Sequence, residues 1–233
     1  KNIPIVALKT GISDIGARLT ASHTGSLSGT DTTYSAFFKR LGICRVATPS
    51  EFVELLKFLT IAGVPAGQKI AGFTCSGGGA TMLADYAAPL ELDFVQPSSH
   101  TAAALTQLLP HTATVTNPLD YTTPIWGNYE RTLPVFECLL KDGYDSAVLV
   151  QDYPAAGLDE SKPNYRADSD SFITACQTAN IPAAICSTLP ENLDAETRSH
   201  ILQAGVAPMQ GIETCMQAMS TAANYGKIRL AYL

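Results

Sequence analysis

Short apolar runs alternate with amphipathic stretches along most of the chain. The runs Lys69–Thr74, Ser146–Gln151 and Ala183–Ser187 are typical of parallel strands that are buried on both faces. Between such runs, stretches such as Thr101–Leu109 and Asp194–Ala204 carry apolar residues at spacings of three and four, which predict helices. Strands that alternate with helices predict an α/β fold with a doubly wound parallel sheet and right-handed crossovers.

The same pattern predicts two structural units, separated at a linker rich in glycine and proline, Gly63–Gly67. Residues 66–233 contain about five predicted strands, as a complete flavodoxin-like domain does. Residues 1–65 contain only the predicted strands Ile3–Leu8 and Ile43–Val46, which are too few for an independent domain. We therefore expect residues 1–65 to be the C-terminal part of one flavodoxin-like domain, whose earlier strands lie upstream.

Three stretches have less regular patterns. Residues Thr10–Gly29 are polar and rich in small residues, and we predict a long functional loop there. Phe94–Gln96 is predicted to be a short strand. Asn117–Asp120 has the composition of a turn, in which Asp120 could accept a hydrogen bond from a ligand or a backbone amide.

Composition narrows the possible partners. The chain has 233 residues, 46% of them apolar and only 15% charged. This low charge is below the usual quarter and suggests that another domain or subunit covers part of the surface. The net charge of −6 and the lack of a Lys/Arg cluster argue against nucleic acid as a partner.

The cysteines and the apolar runs bear on the location of the protein. The six cysteines lie far apart and have no metal-ligand spacing, so we expect buried thiols in a reducing compartment and no metal site. No apolar run approaches the roughly 20 residues of a membrane span, and residues 1–8 lack the pattern of a signal peptide. A cytoplasmic protein that does not associate with membranes is therefore expected.

His23 is the strongest candidate for a catalytic residue. It lies among small residues, and its neighbours Thr24, Gly25 and Ser26 leave space around the ring and offer hydroxyl and amide donors. A neutral imidazole can act as a nucleophile or a base near neutral pH. The alternative is a structural histidine, whose ring only makes a hydrogen bond to the backbone of its own loop.

A glycine-rich turn is the second candidate site. Ser76, Gly77, Gly78 and Gly79 follow one predicted strand and open a predicted helix, which directs free N–H groups at an anion such as a phosphoryl group. The alternative is a tight turn that lets the helix pack closely on the sheet. The turn matches neither the G-x-G-x-x-G motif nor the P-loop motif, so we do not expect it to bind a nucleotide alone.

These motifs resemble those of the nucleoside-diphosphate-forming acyl-CoA synthetases of the succinyl-CoA synthetase superfamily. Ala21–Asp31 is similar to the phosphohistidine loop of that family, with His23 in the place of the phosphorylated residue. Cys75–Ala80 resembles the family's Asn-Ser-Gly-Gly-Pro-Gly turn, although it begins with Cys and a glycine stands near the usual proline. Asn117–Asp120 matches a further Asn-Pro-Val-Asp signature.

The resemblance implies a ligase that interconverts acyl-CoA, ADP and phosphate with a carboxylic acid, CoA and ATP through a phosphohistidine. His23 would be catalytic, and the phosphate-binding residues would be Thr24, Gly25, Ser26, Ser76, Gly77, Gly78 and Gly79. The CoA-binding and ATP-grasp domains of the family are expected in the same polypeptide or in a partner subunit. Those parts would bring CoA, ATP or ADP, Mg²⁺ and a small carboxylic acid, and this chain alone would bind no cofactor and be inactive.

Two other functions remain open at this stage. A catalytically silent relative could regulate or bind a partner, for example as the regulatory half of a protein acetyltransferase. A flavodoxin-like module that binds flavin or nucleotide is the other possibility, although no strong sequence feature supports it.

Overall fold

The computed structural model describes residues 3–24, 29–154, 157 and 160–231. Strands in these ranges are β1 (Val6–Leu8), β2 (Cys44–Val46), β3 (Ile70–Thr74), β4 (Leu119–Asp120), β5 (Ser146–Val150), β6 (Ala183–Ser187) and β7 (Ala207–Gln210). The α-helices are α1 (Asp14–Thr24), α2 (Asp31–Leu41), α3 (Pro49–Ile61), α4 (Gly77–Ala87), α5 (Ser99–Leu108), α6 (Tyr129–Leu140), α7 (Lys162–Ala179), α8 (Ala195–Gln203) and α9 (Ile212–Ala231).

The larger sheet has five parallel strands in the order β4-β3-β5-β6-β7. Counted from β3, this is the order 2-1-3-4-5 of flavodoxin-like folds, so the predicted fold class is confirmed. The order reverses between β3 and β5, and a crevice is expected at the carboxyl ends of those two strands. β1 and β2 form a separate two-stranded parallel sheet.

Helices cover both faces of the larger sheet. On one face, α5, α6, α7 and α8 pack around Phe73, Phe136 and Phe172, whose rings meet edge to face with centroids 4.8 to 6.1 Å apart. On the other face, α3, α4 and α9 contribute to a second apolar cluster with β5, β6 and β7. Because both faces are covered, every residue of β3, β5 and β6 is buried, as the continuous apolar runs predicted.

The segment before the linker packs onto the sheet that follows it. Leu55 and Phe58 of α3 are fully buried in the cluster that contains Met216 and Met219 of α9. α3 is also tied to β7, because Glu54 accepts a hydrogen bond from the Gln210 N–H at 3.0 Å. The two segments thus share one apolar cluster, and the division at residue 65 stays a prediction from sequence.

α2 contrasts with α3. None of its residues is buried, and Phe37 and Leu41 are more than half exposed. Local sequence explains its ends: Thr30 caps its N-terminus, and Gly42 ends it at φ 65°.

The predicted loop Thr10–Gly29 is wrong for its central part, because residues Asp14–Thr24 form α1. Ser13 Oγ accepts a hydrogen bond from the Gly16 N–H at 3.1 Å, and Asp14 places a negative charge in the first turn of the helix. α1 contains Ala, Arg and Leu residues, which are strong helix formers. The prediction gave more weight to the polar and small residues of the stretch than to these helix formers.

A second correction concerns the edge of β3. Phe94–Gln96 is not a strand, and Asn117–Asp120 is not a simple turn, since its last two residues form β4. The side chain of Asn117 takes the place of a pairing strand: Oδ1 accepts from the Gly72 N–H at 2.9 Å, and Nδ2 donates to the Ile70 carbonyl at 2.8 Å and the Val95 carbonyl at 3.0 Å.

Within the described ranges, none of the helices combines the length and the apolar character that crossing a membrane requires.

The Asn117 carboxamide is expected to be essential for stability. Asn117→Ala leaves the buried Gly72 N–H and Ile70 carbonyl without partners, so the free energy of unfolding should fall by about 2–4 kcal/mol. Urea unfolding followed by the fluorescence of the single tryptophan, Trp126, measures the change. Thr116→Ala is the matched control, because the exposed Thr116 hydroxyl makes only a local bond to the Pro118 carbonyl. Equal stability of the two variants would contradict the role of Asn117.

Candidate functional site

The glycine-rich turn lies at the carboxyl end of β3, where α4 begins. Ser76 is the N-cap of α4, and its Oγ accepts from the Gly79 N–H at 3.4 Å. The Ser76 N–H donates to Thr74 Oγ1 at 3.3 Å, which fixes the start of the turn to the strand. Ser76, Gly77 and Gly78 are exposed, so the positive end of the α4 dipole faces outward and is accessible to an anion.

The glycines of this turn differ in what they do. A Cβ on Gly79 would lie 2.6 Å from Thr74 Oγ1, so close packing of α4 on β3 requires glycine there. A Cβ on Gly77 or Gly78 would have no neighbour closer than 3.6 Å. The packing interpretation therefore accounts for Gly79 alone, and close packing does not require glycine at Gly77 or Gly78.

A cavity of about 320 Å³ adjoins the turn. It is lined by Thr74, Cys75, Ser76, Gly78, Gly79, Met82, Val150, Gln151, Asp152, Tyr165 and Thr188. These residues come mainly from the carboxyl ends of β3, β5 and β6, which is the crevice expected from the reversal of strand order. The described lining residues include the carboxylate of Asp152 and no Lys or Arg, so attraction of an anion here would come from backbone dipoles and not from a charged side chain.

Two carboxylates lie near the turn, and both accept hydrogen bonds from the protein. Asp152 accepts from the Thr188 N–H and hydroxyl at 2.7 and 2.6 Å and from Asn192 at 3.1 Å, so it ties the loop after β6 to the end of β5. Asp120 accepts from the Thr122 N–H at 2.9 Å. Its other oxygen would lie 3.6 Å from a Cβ on Gly77, which brings negative charge to the edge of the turn.

Beneath the turn lies a buried polar group that the sequence analysis missed. Asp168 of α7 is fully buried and accepts from the Tyr121 hydroxyl at 2.7 Å and from the Gly127 N–H at 2.8 Å. Burial raises the pKa of this carboxyl group to about 6. α7 begins at Lys162, so Asp168 lies in the buried interior of the helix and not in its first turn, where an acidic residue is ordinary.

The thiol of the turn is not activated. Burial, together with the nearby carboxylates of Asp168 and Asp120, raises the pKa of Cys75 to about 11, so the thiol is neutral at pH 7. Cys75 is half-buried, and the other cysteines are buried and free, as predicted.

The structure places the candidate residues of the first segment only in part. His23 and Thr24 are the last residues of α1, so His23 lies at a helix end and not in a loop. Their side chains, and Gly25 and Ser26 as a whole, lie outside the described residues. The structure thus places Ser76, Gly78 and Gly79 on one cavity, with Gly77 in the same turn but not among the lining residues, and leaves their relation to His23 a prediction.

Among the described residues, no group of three or more His, Cys, Asp or Glu side chains is arranged to hold a metal ion.

Comparison with known proteins supports the resemblance seen in the motifs. The family model of the succinyl-CoA ligase-like flavodoxin domain matches residues 1–59. The chain is 36% identical over 120 residues, 52% of its length, to the ADP-forming acetate–CoA ligase of Methanocaldococcus jannaschii. It is 25% identical over 225 residues, 97% of its length, to the ADP-forming acetate–CoA ligase I of Archaeoglobus fulgidus.

The fold has a counterpart among solved structures. The dinucleotide-forming acetyl-coenzyme A synthetase 1 of Ca. Korarchaeum cryptofilum, in complex with phosphate and ADP, superposes with a TM-score of 0.79 at 22% identity. This alignment covers 97% of the chain and 48% of that protein, while the chain spans 17% and 30% of the two ligases above. The predicted resemblance to ADP-forming acyl-CoA synthetases is confirmed, and the chain corresponds to a part of those longer proteins.

Two substitutions in the turn should have opposite effects on stability. Gly79→Ala forces a methyl group against the buried Thr74 hydroxyl and should lower the free energy of unfolding by about 1–3 kcal/mol. Gly78→Ala meets open space in the first turn of a helix and should be neutral or stabilising by up to about 1 kcal/mol. Urea unfolding of both variants tests this difference, which would be contradicted if both were equally destabilised.

Asp168 should make the stability of the protein depend on pH. Since its pKa is about 6 in the folded state and near 4 in an unfolded chain, the unfolded state loses this proton first as the pH rises. The free energy of unfolding, relative to that of Asp168→Asn, should therefore fall by about 2–3 kcal/mol between pH 4 and pH 7. Urea unfolding of both proteins at several pH values measures this difference, and parallel pH profiles would contradict it.

Proposed function

We propose that this chain is part of an ADP-forming acyl-CoA synthetase in which His23 carries a phosphoryl group. One observation carries the proposal: the histidine motif falls within residues 1–59, which match the family model, in a chain related over 97% of its length to an ADP-forming ligase. The cavity beside the turn at Ser76 supports it from the structure, because that turn is the second motif of the resemblance.

The proposed reaction has three steps. Phosphate displaces CoA from acyl-CoA, which forms an acyl phosphate and free CoA. A ring nitrogen of His23 then attacks the phosphorus atom, so that an N–P bond forms, the P–O bond to the acyl group breaks and the carboxylic acid leaves. Finally an oxygen of the terminal phosphate of ADP attacks the phosphohistidine, which gives ATP and restores the imidazole.

The contribution of this chain's described residues would be electrostatic. The N–H groups in the first turn of α4 would face the negative charge of the phosphoryl group, and the helix dipole would add to that attraction. Among the described residues, no Lys or Arg lines the cavity, the carboxylate of Asp152 does line it, and that of Asp120 lies beside Gly77 of the turn. The backbone dipoles would attract the phosphoryl group, and the carboxylates would repel it. The phosphoryl group would therefore bind weakly, which suits a site from which it must be transferred.

Other parts of the protein would supply the remaining binding sites. The described residues offer no group suited to Mg²⁺, so we assign Mg²⁺ and ATP or ADP to an ATP-grasp domain and CoA to a CoA-binding domain. These domains would lie in the same polypeptide or in a partner subunit. The exposed apolar side chains of α2 support a covering domain next to residues 1–65.

The full-length protein should become phosphorylated on His23. Incubation with γ-labelled ATP and Mg²⁺ should give acid-labile, base-stable label, and CoA together with a small carboxylic acid should discharge it. His23→Ala should abolish the label while the melting temperature stays within a few degrees of wild type. His111→Ala is the matched control, because His111 is exposed and outside both motifs, and it should label normally.

Absence of label on a folded protein that binds ATP would overturn the proposal. That result would favour a catalytically silent relative with a regulatory role. A large fall in melting temperature for His23→Ala would instead indicate a structural role for the histidine.

A further inference from the structure

A second and larger cavity lies beside the candidate site, and its walls come from both segments of the chain. It has a volume of about 650 Å³ and is bounded by the start of α3, the middle of α4, the loop after β6 and the start of α9. We call it the α3–α9 groove. Met82 and Thr188 line both this groove and the cavity at the glycine-rich turn, so one end of the groove reaches the candidate site.

Large apolar side chains on opposite walls of the groove face solvent. Val53 of α3 is 58% exposed, Leu189 of the loop after β6 is 57% exposed and Tyr86 of α4 is 40% exposed. Met82 and Ile212 continue the apolar surface inward. Exposed apolar residues that cluster around a concave surface are typical of a site that another molecule covers.

The walls of the groove are held in place by hydrogen bonds. The pair Glu54–Lys57 fixes α3 to β7, because Glu54 accepts from the Gln210 N–H and Lys57 donates to the Pro208 carbonyl at 2.7 Å. Gln210 Nε2 in turn donates to the Pro190 carbonyl at 3.1 Å, which fixes the loop after β6. A groove with fixed walls binds with a small ordering cost.

The charge around the groove is negative. Among the described residues that line it, the charged ones are Glu54, which Lys57 neutralises, and Glu213, which is exposed and forms no ion pair with another described residue. Asp85 and Glu191 are exposed next to the lining residues Tyr86 and Pro190, again without an ion pair to any described residue. The described part of the chain contributes no Lys or Arg to the lining of the groove.

We propose that the α3–α9 groove docks a basic, amphipathic segment of a partner polypeptide. The apolar walls would take apolar side chains spaced three or four residues apart on a helix, and the carboxylates at the rim would pair with Lys or Arg of the segment. A segment bound there would lie next to the cavity at the glycine-rich turn. The groove does not depend on phosphorylation of His23, so the two proposals can fail separately.

Selection from a random library of 12-residue peptides displayed on phage, against the full-length protein, tests this proposal. Enriched peptides should combine apolar residues at helical spacing with Lys or Arg. Synthetic copies of them should bind about tenfold more weakly to Val53→Ser and to Leu189→Ser, which each remove an apolar contact from the groove. Glu213→Lys should also weaken binding, and most strongly at low salt.

Leu202→Ser is the matched control, because Leu202 is a half-exposed leucine on α8, outside the groove. It should leave peptide affinity unchanged, and an unchanged melting temperature in all variants would show that the fold is intact whether or not His23 becomes phosphorylated. Acidic or purely polar peptides, equal weakening by Leu202→Ser, or no enrichment would each overturn the proposal. A dimer of the full-length protein that dissociates in Val53→Ser would identify a second copy as the occupant and would overturn it too.

Discussion

The arrangement of the candidate site depends on how one edge of β3 is paired. Asp93 pairs with the start of this edge, the Asn117 carboxamide bonds its middle, and β4 pairs with its end. β4 has only two residues, so without the carboxamide the backbone of β3 would be unpaired at Gly72 just before the glycine-rich turn. Thr74 itself is paired with β4 and β5, and the Asn117 carboxamide completes the pairing of the two alternate residues before it, Ile70 and Gly72.

The regular part of the fold could be predicted from the sequence, and the exceptions have physical reasons. β5 and β6 are continuous apolar runs because both of their faces are covered, and this pattern is readable without the structure. The edge of β3 is different, since a side chain distant in sequence does the work of a strand there. No periodicity marks such a residue, so Phe94–Gln96 was wrongly predicted to be a strand.

The candidate site was predictable to a similar degree. The turn at Ser76 could be recognised from a short stretch of sequence, because glycines between a strand and a helix indicate either anion binding or close packing of the helix on the sheet. Sequence could not separate the role of Gly79 from that of Gly78, since the difference lies in a single contact with Thr74. Asp168 was missed because its burial results from the packing of α7 against the loop after β4, which only the folded chain brings about.

The packing of α3 across the linker limits where the gene for such a chain can be divided or fused during evolution. Leu55 and Phe58 precede the Gly63–Gly67 segment, yet they share a cluster with the methionines of α9. A gene rearrangement that broke the chain at the linker would uncover an apolar face on each product. Since Cys44 and Val46 of β2 belong to the same cluster, a break between β2 and α3 would uncover it too, and the unit that can move as a block extends upstream at least to β2.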